Sequence, residues 1–339
     1  MRRMIAAILL LLCAAGCTLR PAGYTADFFA MDTFMSITAY GRDEQAAQQT
    51  AVRCEQRVNA LEPALSRTRE DSDIYRLNQA AGAVCEVSAD TYAAIEAAVE
   101  YAALTGGAFD PTMAPLTDLW GVNTDAARVP AQTEIDAALA RVGYQNIDLL
   151  GENQVRLLGG AQIDLGGIGK GFATDAVAKL LDDEDSVLAM LGGNIGAYGQ
   201  NPSRDSGNWV VGIADPDDSA DYIATVEVRD RSVVTSGDSE RYFEQDGRRY
   251  HHIFDPATGY PADSGLRSVT VIDTVSTRAD ALTTALFVMG LEQGMAFCAA
   301  QNVAAIFVTA DKQVYATDKV DEVCVFTFLG EEKGYAYAQ

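Results

Sequence analysis

The segment IDLGGIGKGFATD, residues 163–175, places four glycines and one lysine between an acidic residue and the start of a predicted helix. Glycine has no Cβ, so its backbone N–H groups can approach a ligand closely. Lys170 adds a positive charge at a helix N-terminus, where anions are favoured. The pattern is consistent with an anion-binding loop, although an ordinary structural turn from strand to helix explains it equally well.

Two phosphate-binding fingerprints do not fit this segment. The Walker A pattern requires glycine, four residues and then Gly-Lys-Ser/Thr, but Asp164 stands at the first glycine position and Gly171 follows Lys170. The dinucleotide fingerprint Gly-x-Gly-x-x-Gly also fails, because Gly167, Gly169 and Gly171 are one residue too closely spaced. The segment therefore predicts neither of these motifs.

Composition limits the possible partners. The chain has 339 residues, of which 48% are hydrophobic, so it can bury a large core in one or two domains. Its formal net charge is -23, from 25 basic and 48 acidic residues, and this argues against a nucleic-acid-binding surface. An acidic protein can still bind a small phosphate ligand when backbone N–H groups and a divalent metal supply local positive potential.

The order of apolar segments and turns predicts an α+β fold with mixed, largely antiparallel sheets and flanking helices. The expected helices run from Asp43 to Leu61, stopping before Pro63, then after the N-cap Ser88 to residue 104, and at 133–141, 171–182, 278–289 and 291–301. The expected strands are an apolar stretch at 28–40 and segments 154–158, 161–165, 186–191, 208–214, 222–228, 232–236, 266–273, 303–309, 312–316 and 323–329. Asp246-Gly247 is typical of a tight hairpin turn.

The first residues, MRRMIAAILLLLCAAGC, have the layout of a secretory signal. We expect a signal peptide at 1–16, a lipidated tether at 17–26 and one catalytic domain at 27–339. Cys17 follows Ala-Ala-Gly and resembles the lipidation site of a bacterial lipobox, with Ala14 where leucine is more usual; an ordinary signal peptidase site is the alternative. Lipidation predicts an exported protein anchored to the outer face of the cell membrane or in the periplasm.

Cysteine and histidine counts exclude some metal sites. The cysteines after Cys17 are Cys54, Cys85, Cys298 and Cys324, and no pair has Cys-x-x-Cys spacing. Export permits a disulfide among these four, but the sequence does not assign one. With only His251 and His252 in the chain, a three-histidine zinc site is excluded.

Several segments together resemble the ApbE family of FAD:protein FMN transferases. They are MDTFMSITAYG (31–41), LSRTREDSDIYRLN (65–78), TGGAFDPTMAPLTDLWG (105–121), DLGGIGKGFATD (164–175), LGGNIGAYG (191–199), DGRRYHHIFDPATGYP (246–261) and STRADALTTALFVMG (276–290). The resemblance covers about residues 28–329. It implies a single catalytic domain with an ApbE-like, T-fold-like duplication. It also implies an enzyme that transfers FMN from FAD to a Thr or Ser hydroxyl of an acceptor flavoprotein and releases AMP.

The resemblance implies a Mg²⁺ site formed by Asp280, Thr284 and the backbone carbonyl of Gly167. Asp280 and Thr284 are four residues apart in a predicted helix, so their side chains share one face, and hard oxygen ligands suit this cation. Without the resemblance, another interpretation is open: Asp280 caps its helix and Thr284 bonds back to its own turn.

The resemblance also implies contacts to FAD, the substrate, from Met31, Ala108, Phe109, Asp110, Asp164, Lys170 and Ile253. Asp32 stands where many family members have glycine, which puts the local backbone geometry in question.

His252 aligns with a family histidine and is a candidate base near neutral pH. Alternatively it is a structural strand residue bonded to Asp255 or a carbonyl, and Asp280 or a water serves as base.

The implied acceptor is a separate chain, such as an FMN-binding subunit of a membrane redox complex, because no Asp…Gly-Ala-Thr/Ser segment of the family's target type occurs here. Two rival functions remain: an FAD pyrophosphatase that yields FMN and AMP, and a non-catalytic flavin-binding lipoprotein. Asp280 with Thr284 favours catalysis over flavin storage, because binding alone would not need a metal at the bridging oxygens.

Overall fold

The structure is a computed structural model that describes residues 22–338. The predicted signal peptide at 1–16, the lipidation site Cys17 and the tether up to residue 21 lie outside the described residues. Residues 22–26, the last part of that predicted tether, form the start of the first strand.

The described residues fold into alternating groups of helices and strands. The helices are α1 (Glu44–Leu65), α2 (Asp73–Gln79), α3 (Ala89–Leu104), α4 (Ala114–Trp120), α5 (Gln132–Leu139), α6 (Gly169–Ala178), α7 (Ser276–Gln301) and α8 (Asp318–Val323). The strands are β1 (Ala22–Ala30), β2 (Thr33–Gly41), β3 (Cys85–Glu86), β4 (Ile147–Gly151), β5 (Gln154–Leu157), β6 (Ser186–Leu191), β7 (Asn194–Tyr198), β8 (Trp209–Asp215), β9 (Asp218–Val228), β10 (Arg231–Gly237), β11 (Tyr242–Gln245), β12 (Arg248–His251), β13 (Leu266–Asp273), β14 (Ala304–Thr309), β15 (Gln313–Ala316), β16 (Val325–Phe328) and β17 (Ala336–Ala338).

A nine-stranded central sheet organises the molecule. Its strand order is β1-β2-β6-β7-β10-β13-β14-β15-β17, and every neighbouring pair is antiparallel except β15 with β17. Three small sheets, β16-β9-β8, β3-β5-β4 and the hairpin β11-β12, surround it. The predicted α+β class with largely antiparallel sheets is confirmed.

The two faces of the central sheet are covered differently. Side chains alternate between faces along a strand, so Met35 and Ile37 of β2 pack with Val58 and Leu61 of α1 on the helical face. On the opposite face, the sheet β16-β9-β8 packs over the β10 and β14 region and forms a second core. Helices α6 and α7 therefore lie side by side on one face, where their N-termini meet.

Helix α7 contains the break that the sequence predicted. Residues 276–301 form one continuous run, but Gly290 has φ of +75°, which separates the two predicted helices at 278–289 and 291–301. Among the described residues, α7 is long and apolar enough to cross a membrane, but half of that stretch is buried inside the protein. Packing against β13 and β10 accounts for its apolar composition.

Several predicted elements are wrong in extent. The expected strand at 28–40 is two strands, because the turn at Met31-Asp32 separates the end of β1 from β2. Helix α1 continues through Pro63 to Leu65, because a proline in the last turn removes only its own hydrogen bond and Ser66 N–H still donates to the Glu62 carbonyl at 2.9 Å. Residues 323–329 are not one strand, since Val323 ends α8 and only Val325–Phe328 pairs with β9. Helix α6 ends at Ala178, earlier than residue 182.

Residues 161–165 do not form the predicted strand. Their backbone groups find partners outside any ladder: Ile163 N–H donates to Asn78 Oδ1 at 2.7 Å, and Asp164 N–H donates to the Pro111 carbonyl at 2.8 Å. The strand-like sequence joins no sheet here, because a side-chain amide and a loop carbonyl satisfy its backbone hydrogen bonds.

The cysteines form no disulfide within residues 22–338. Cys54, Cys85, Cys298 and Cys324 are all free thiols, and Cys54 and Cys298 are buried. Burial raises the pKa of Cys54 to about 11 and the pKa of Cys298 to about 12, so both thiols stay protonated. The possible disulfide among these four cysteines is therefore not formed.

Candidate functional site

The centre of the site is the contact between the first turns of α6 and α7. Gly171 N–H donates to Asp280 Oδ2 at 2.7 Å, and Asp280 is 2% exposed. A Cβ at Gly171 would lie 2.7 Å from Asp280 Cβ, so only glycine permits this approach. The glycine-rich segment thus holds a buried carboxylate through its backbone.

Asp280 does not cap its own helix. The first N–H groups of α7 are capped from α6 instead, where the Asp175 carboxylate accepts from Ser276 N–H and Thr277 N–H, both at 2.8 Å. Thr283, rather than Thr284, bonds back to the helix, through its hydroxyl and the Asp280 carbonyl at 2.7 Å. The alternative structural interpretation of Asp280 and Thr284 is therefore wrong, and both keep oxygen atoms free for other partners.

The Gly167 backbone and the Thr284 hydroxyl lie close to each other, and Thr284 is one helical turn from Asp280 in α7. A Cβ at Gly167 would lie 3.5 Å from Thr284 Oγ1, which places the glycine backbone against the Thr284 hydroxyl. The second carboxylate oxygen of Asp280 and the Thr284 hydroxyl have no hydrogen-bond partner among residues 22–338. Residues 22–338 contain no cluster of three or more His, Cys, Asp or Glu side chains that could hold a metal ion. Carboxylate, hydroxyl and carbonyl oxygens fit a hard divalent cation.

Lys170 extends from the same loop over the turn between β6 and β7. Its Cδ would lie 3.4 Å from a Cβ added at Gly192. A Cβ added at Gly193 would lie 3.3 Å from a carboxylate oxygen of Glu240. Desolvation within the cleft raises the pKa of Glu240, and the negative charge of Asp280 adds to this while Lys170 and Arg241 oppose it. Glu240 and Arg241 lie beside these residues, and no sequence pattern pointed to either of them.

His252 is half-buried and has one unoccupied ring nitrogen. Its Nδ1 contacts the Arg241 carbonyl at 3.2 Å, and its backbone N–H donates to the same carbonyl at 3.1 Å. A carbonyl only accepts, so Nδ1 carries the proton and Nε2 presents a lone pair. Desolvation, followed by the Arg241 charge, lowers the pKa of His252 to about 3, which keeps the ring neutral at physiological pH.

The neighbouring His251 is structural. Its Nε2 donates to the Ala262 carbonyl at 3.0 Å and its Nδ1 accepts from Ile253 N–H at 3.2 Å, so both nitrogens are engaged. Asp255 does not contact His252, because its carboxylate accepts from Ala257 N–H and the Thr258 hydroxyl in the predicted turn. Of the two histidines, only His252 is free to accept a proton.

The segment 108–110 borders the glycine loop. Phe109 is 3% exposed, and its ring edge lies 3.2 Å from a Cβ position at Gly167. Ala108 is half-buried beside it. The buried Asp110 carboxylate is used internally, by Thr112 N–H and hydroxyl at 2.8 and 2.5 Å and by Tyr144 N–H at 2.8 Å, and burial raises its pKa. The Asp110 side chain therefore positions this loop.

Asp164 is held by an arginine that the sequence analysis did not assign. Its carboxylate pairs with Arg67 at 3.0 Å and accepts from Gly166 N–H at 2.9 Å. Arg67 also pairs with Asp118 at 2.6 Å. Arg67 lies in the quoted segment 65–78, but its partners are about 50 and 100 residues away, so spacing gives no hint of them.

The turn between β1 and β2 brings Met31 to the same end of the sheet. Met31 and Asp32 have φ of +50° and +55°, as in the type I′ turns that close two-residue hairpins. Thr33, the next residue, lies 3.2 Å from a Cβ position at Gly192, beside Lys170. Asp32 thus adopts the left-handed conformation that glycine favours, so the backbone keeps this geometry although Asp32 replaces the glycine found in many family members.

Comparison with known proteins shows to which family this chain is similar. Residues 31–307 match the model of the ApbE family. The chain belongs to the ApbE family. A FAD:protein FMN transferase of Treponema pallidum is 41% identical over 274 residues, 76% of each chain, and one of Klebsiella pneumoniae is 34% identical over 302 residues, 86% of this chain and 90% of that protein.

Solved structures of ApbE proteins share the fold. The crystal structure of the ApbE protein of Thermotoga maritima superposes with a TM-score of 0.83 at 35% identity, covering 89% of this chain and 99% of that one. The apo form of the Pseudomonas stutzeri flavinyl transferase ApbE gives a TM-score of 0.80 at 32% identity, with 90% and 98% covered.

Within this ApbE fold, the predicted site residues fall into two groups. Gly167, Lys170, Asp280, Thr284 and Phe109 lie around the α6–α7 contact. His252 is close enough to Lys170 for that charge to lower its pKa. Met31 precedes Asp32 and Thr33 in the hairpin that reaches the glycine turn, Gly192-Gly193 between β6 and β7. Ile253 is buried, and Asp110 and Asp164 support the surrounding loops through their carboxylates.

Proposed function

We propose that this chain transfers the FMN part of FAD to a Thr or Ser hydroxyl of a separate acceptor flavoprotein and releases AMP. Membership of the ApbE family and relatives named FAD:protein FMN transferase support flavin transfer. The observation that carries the proposal is the buried Asp280 carboxylate, which accepts from Gly171 N–H and whose second oxygen has no hydrogen-bond partner among residues 22–338.

The proposed Mg²⁺ ligands are Asp280, Thr284 and the Gly167 carbonyl. All three offer oxygen atoms, and the close packing of α6 on α7 keeps them together. Magnesium bound there would supply charge neutralisation at the oxygens of the FAD diphosphate. In a chain of net charge -23, such neutralisation is required before a dianionic diphosphate can bind at this carboxylate.

Lys170 and the glycine turn orient the substrate. The Lys170 ammonium makes no ion pair within residues 22–338, so it is available to a phosphate group as a point charge. An added Cβ at Gly193 would lie 2.8 Å from the Thr235 carbonyl oxygen, so glycine at this position lets the turn pack closely on β10. The Phe109 ring lies against Gly167, and Met31 packs against the same helical core, so both contribute apolar surface near the proposed site.

We propose His252 as the proton acceptor, and the negative charge of the bound diphosphate would raise the pKa of its ring above its low value in the free protein. Its Nε2 accepts the proton of the acceptor hydroxyl, whose oxygen forms a bond to the FMN phosphorus. The bond from that phosphorus to the bridging oxygen breaks, and AMP leaves with the bridging oxygen and its electron pair. The Arg241 carbonyl fixes the tautomer that this step needs, since it holds the ring proton on Nδ1. Asp280 is less suited as base, because one of its oxygens already accepts from Gly171.

One incubation separates this function from its two rivals. The full chain is mixed with FAD, MgCl2 and an acceptor domain that carries the Asp…Gly-Ala-Thr segment, and AMP and the intact acceptor mass are measured. AMP together with FMN-modified acceptor supports transfer. AMP with free FMN supports a pyrophosphatase, and bound FAD without AMP supports a flavin-binding protein; either result overturns the proposal.

Variants of the proposed ligands give the sharper test. We expect Asp280→Asn, which keeps the side-chain volume, to lower transfer by about 10²–10³-fold, as is usual when one preorganised charge-stabilising group is lost. Thr284→Val should lose most activity, whereas Thr284→Ser keeps the hydroxyl and should retain it together with an unchanged Mg²⁺ requirement. Asp263→Asn, at an exposed position, is the control. Equal activity of Thr284→Val and Thr284→Ser would remove Thr284 from the site.

We also propose that the mature protein is exported and anchored by lipid on Cys17. The lipobox-like Ala-Ala-Gly-Cys17 supports this proposal. The lipidated cysteine would precede β1 by only a few residues, so the folded domain would lie close to the membrane. The intact mass of the membrane-extracted protein should show a lipidated N-terminal Cys17, and Cys17→Ala should release the chain from the membrane fraction. A native mass that begins at another residue would contradict this proposal.

A further inference from the structure

An exposed apolar surface lies beside the proposed active site. We call it the hairpin patch and define it as Phe29, Phe34 and Met190, which are 69%, 64% and 43% exposed. Phe29 and Phe34 are direct partners across β1 and β2, next to the turn. Met190 pairs with Ser36, two residues along β2 from Phe34 and on the same face of the sheet.

The neighbouring residues show that this exposure is not a general property of the hairpin. Phe28 and Met35, the next pair along β1 and β2, point to the opposite face and pack in the helical core. On the face of the patch, the sheet β16-β9-β8 covers Tyr40 and Leu188 further along the strands. The patch is therefore the uncovered end of an otherwise packed face, and clustered exposed aromatics of this kind mark interaction surfaces.

The patch adjoins the proposed site through a short chain of contacts. Phe34 follows Thr33, which lies 3.2 Å from a Cβ position at Gly192, and that position is 3.4 Å from Lys170 Cδ. A folded protein that delivers a hydroxyl to the glycine turn has to cover the hairpin turn as well. The acceptor is thus the macromolecule whose path to the site crosses this surface.

The charged residues around the patch limit which partners can bind there. Asp27 lies on the same face as Phe29, and Asp32 occupies the turn; both are exposed, and neither forms an ion pair within the part of the chain that the structure describes. A second copy bound about a two-fold axis would bring these carboxylates close to each other, and an anionic bilayer would repel them. A segment with Lys or Arg beside apolar side chains would complement both features.

We infer that the hairpin patch docks the acceptor protein, through an apolar segment flanked by Lys or Arg. This inference rests on the proposed function, because it assumes a protein acceptor. It assigns Phe29 and Phe34 to substrate recognition rather than to chemistry, so their loss should change binding of the acceptor and leave FAD handling intact.

The test uses the full chain and an acceptor domain that carries the Asp…Gly-Ala-Thr segment, in two forms. The unaltered domain reports turnover, and a form with its acceptor Thr changed to Ala reports the equilibrium Kd without turnover. We expect the double variant Phe29→Ser/Phe34→Ser to raise the Kd and the KM for the acceptor at least tenfold, with kcat at saturating acceptor and the KM for FAD unchanged. Asp27→Lys should raise the same Kd and KM several-fold.

Val325→Ser is the matched control, because Val325 is 58% exposed on the separate sheet β16-β9-β8. It should leave every parameter at the wild-type value. Circular dichroism establishes that each variant is folded.

Several outcomes overturn the inference. Unchanged Kd and KM in the double variant overturn it while wild-type transfer leaves the proposed function intact. If the wild type binds the acceptor but transfers no FMN, the proposed function is wrong, and the comparison of Kd between the wild type and the double variant still tests docking. No binding of the acceptor by the wild type overturns the inference. The inference is also overturned if the double variant keeps the wild-type Kd for the acceptor but loses binding to phosphatidylglycerol–phosphatidylcholine vesicles. The same holds if it keeps that Kd but loses a dimer that the wild type forms in sedimentation.

Discussion

Gly171→Ala tests whether the contact between α6 and α7 builds the site. An added Cβ would lie 2.7 Å from Asp280 Cβ and 2.8 Å from the Ser276 carbonyl carbon, and it would also overlap the Ser276 carbonyl oxygen. These neighbours are backbone atoms and the root of a side chain, so no rotamer change relieves the overlap. The two helices have to separate, which lengthens the hydrogen bond from Gly171 N–H to Asp280 Oδ2.

The expected cost combines three contributions. Overpacking of a buried contact costs about 1–3 kcal/mol, and loss of a hydrogen bond to a charged group costs about 1.5–3 kcal/mol. Replacing a helical glycine returns about 0.5–1 kcal/mol. The net loss in the free energy of unfolding is then about 1.5–5.5 kcal/mol, which corresponds to a decrease in Tm of about 2–8 °C for a chain of this size.

Thermal unfolding followed by circular dichroism measures this loss, and AMP release under the same conditions reports the displaced Asp280. Gly169→Ala is the control, because Gly169 lies in the same helix and a Cβ there meets nothing within 4 Å. We expect Gly169→Ala to stay within about 1 kcal/mol of the wild type. A Gly171→Ala protein as stable and as active as Gly169→Ala would refute the proposed role of the contact.

Two further predictions concern single residues. Because the pKa of His252 falls from 6.5 to about 3 on folding, the unfolded chain binds a proton there between these values that the folded chain does not. This group therefore makes stability fall as pH decreases through that window, by at most about 1.4 kcal/mol per pH unit. Denaturant unfolding at pH 4–7 should show a shallower decline for His252→Gln, and parallel curves would contradict the assignment. Asp32→Gly should raise the free energy of unfolding by up to about 1 kcal/mol, because Asp32 has φ of +55° and glycine adopts this conformation without a Cβ clash; a lower denaturation midpoint would count against a strained turn.

Local sequence patterns determined much of the fold. Ser88 begins α3 by accepting from Thr91 N–H, and Asp246-Gly247 closes the β11–β12 hairpin with two positive φ values. Strands β6 and β13 begin and end at the predicted residues. These features depend on residues close together in the chain, so their periodicity and turn chemistry are visible without a structure.

Errors arose where a distant segment supplied the hydrogen bonds. Residues 161–165 have a strand-like sequence, but Asn78 and Pro111 take the places of ladder partners. Such partners depend on how loops pack, and propensity contains no information about that.

The candidate site divides in the same way. The spacing of Asp280 and Thr284 and the segment around Lys170 are local features that are visible in the sequence, but it was the resemblance to the ApbE family that assigned them to a binding site. Only the tertiary structure pairs Gly171 with Asp280 across 109 residues, caps α7 from Asp175, joins Arg67 to Asp164, and brings Glu240 and Arg241 to the glycine turn. The reason is physical: spacing fixes which side chains share a helix face, whereas the packing of whole helices and sheets fixes which faces meet.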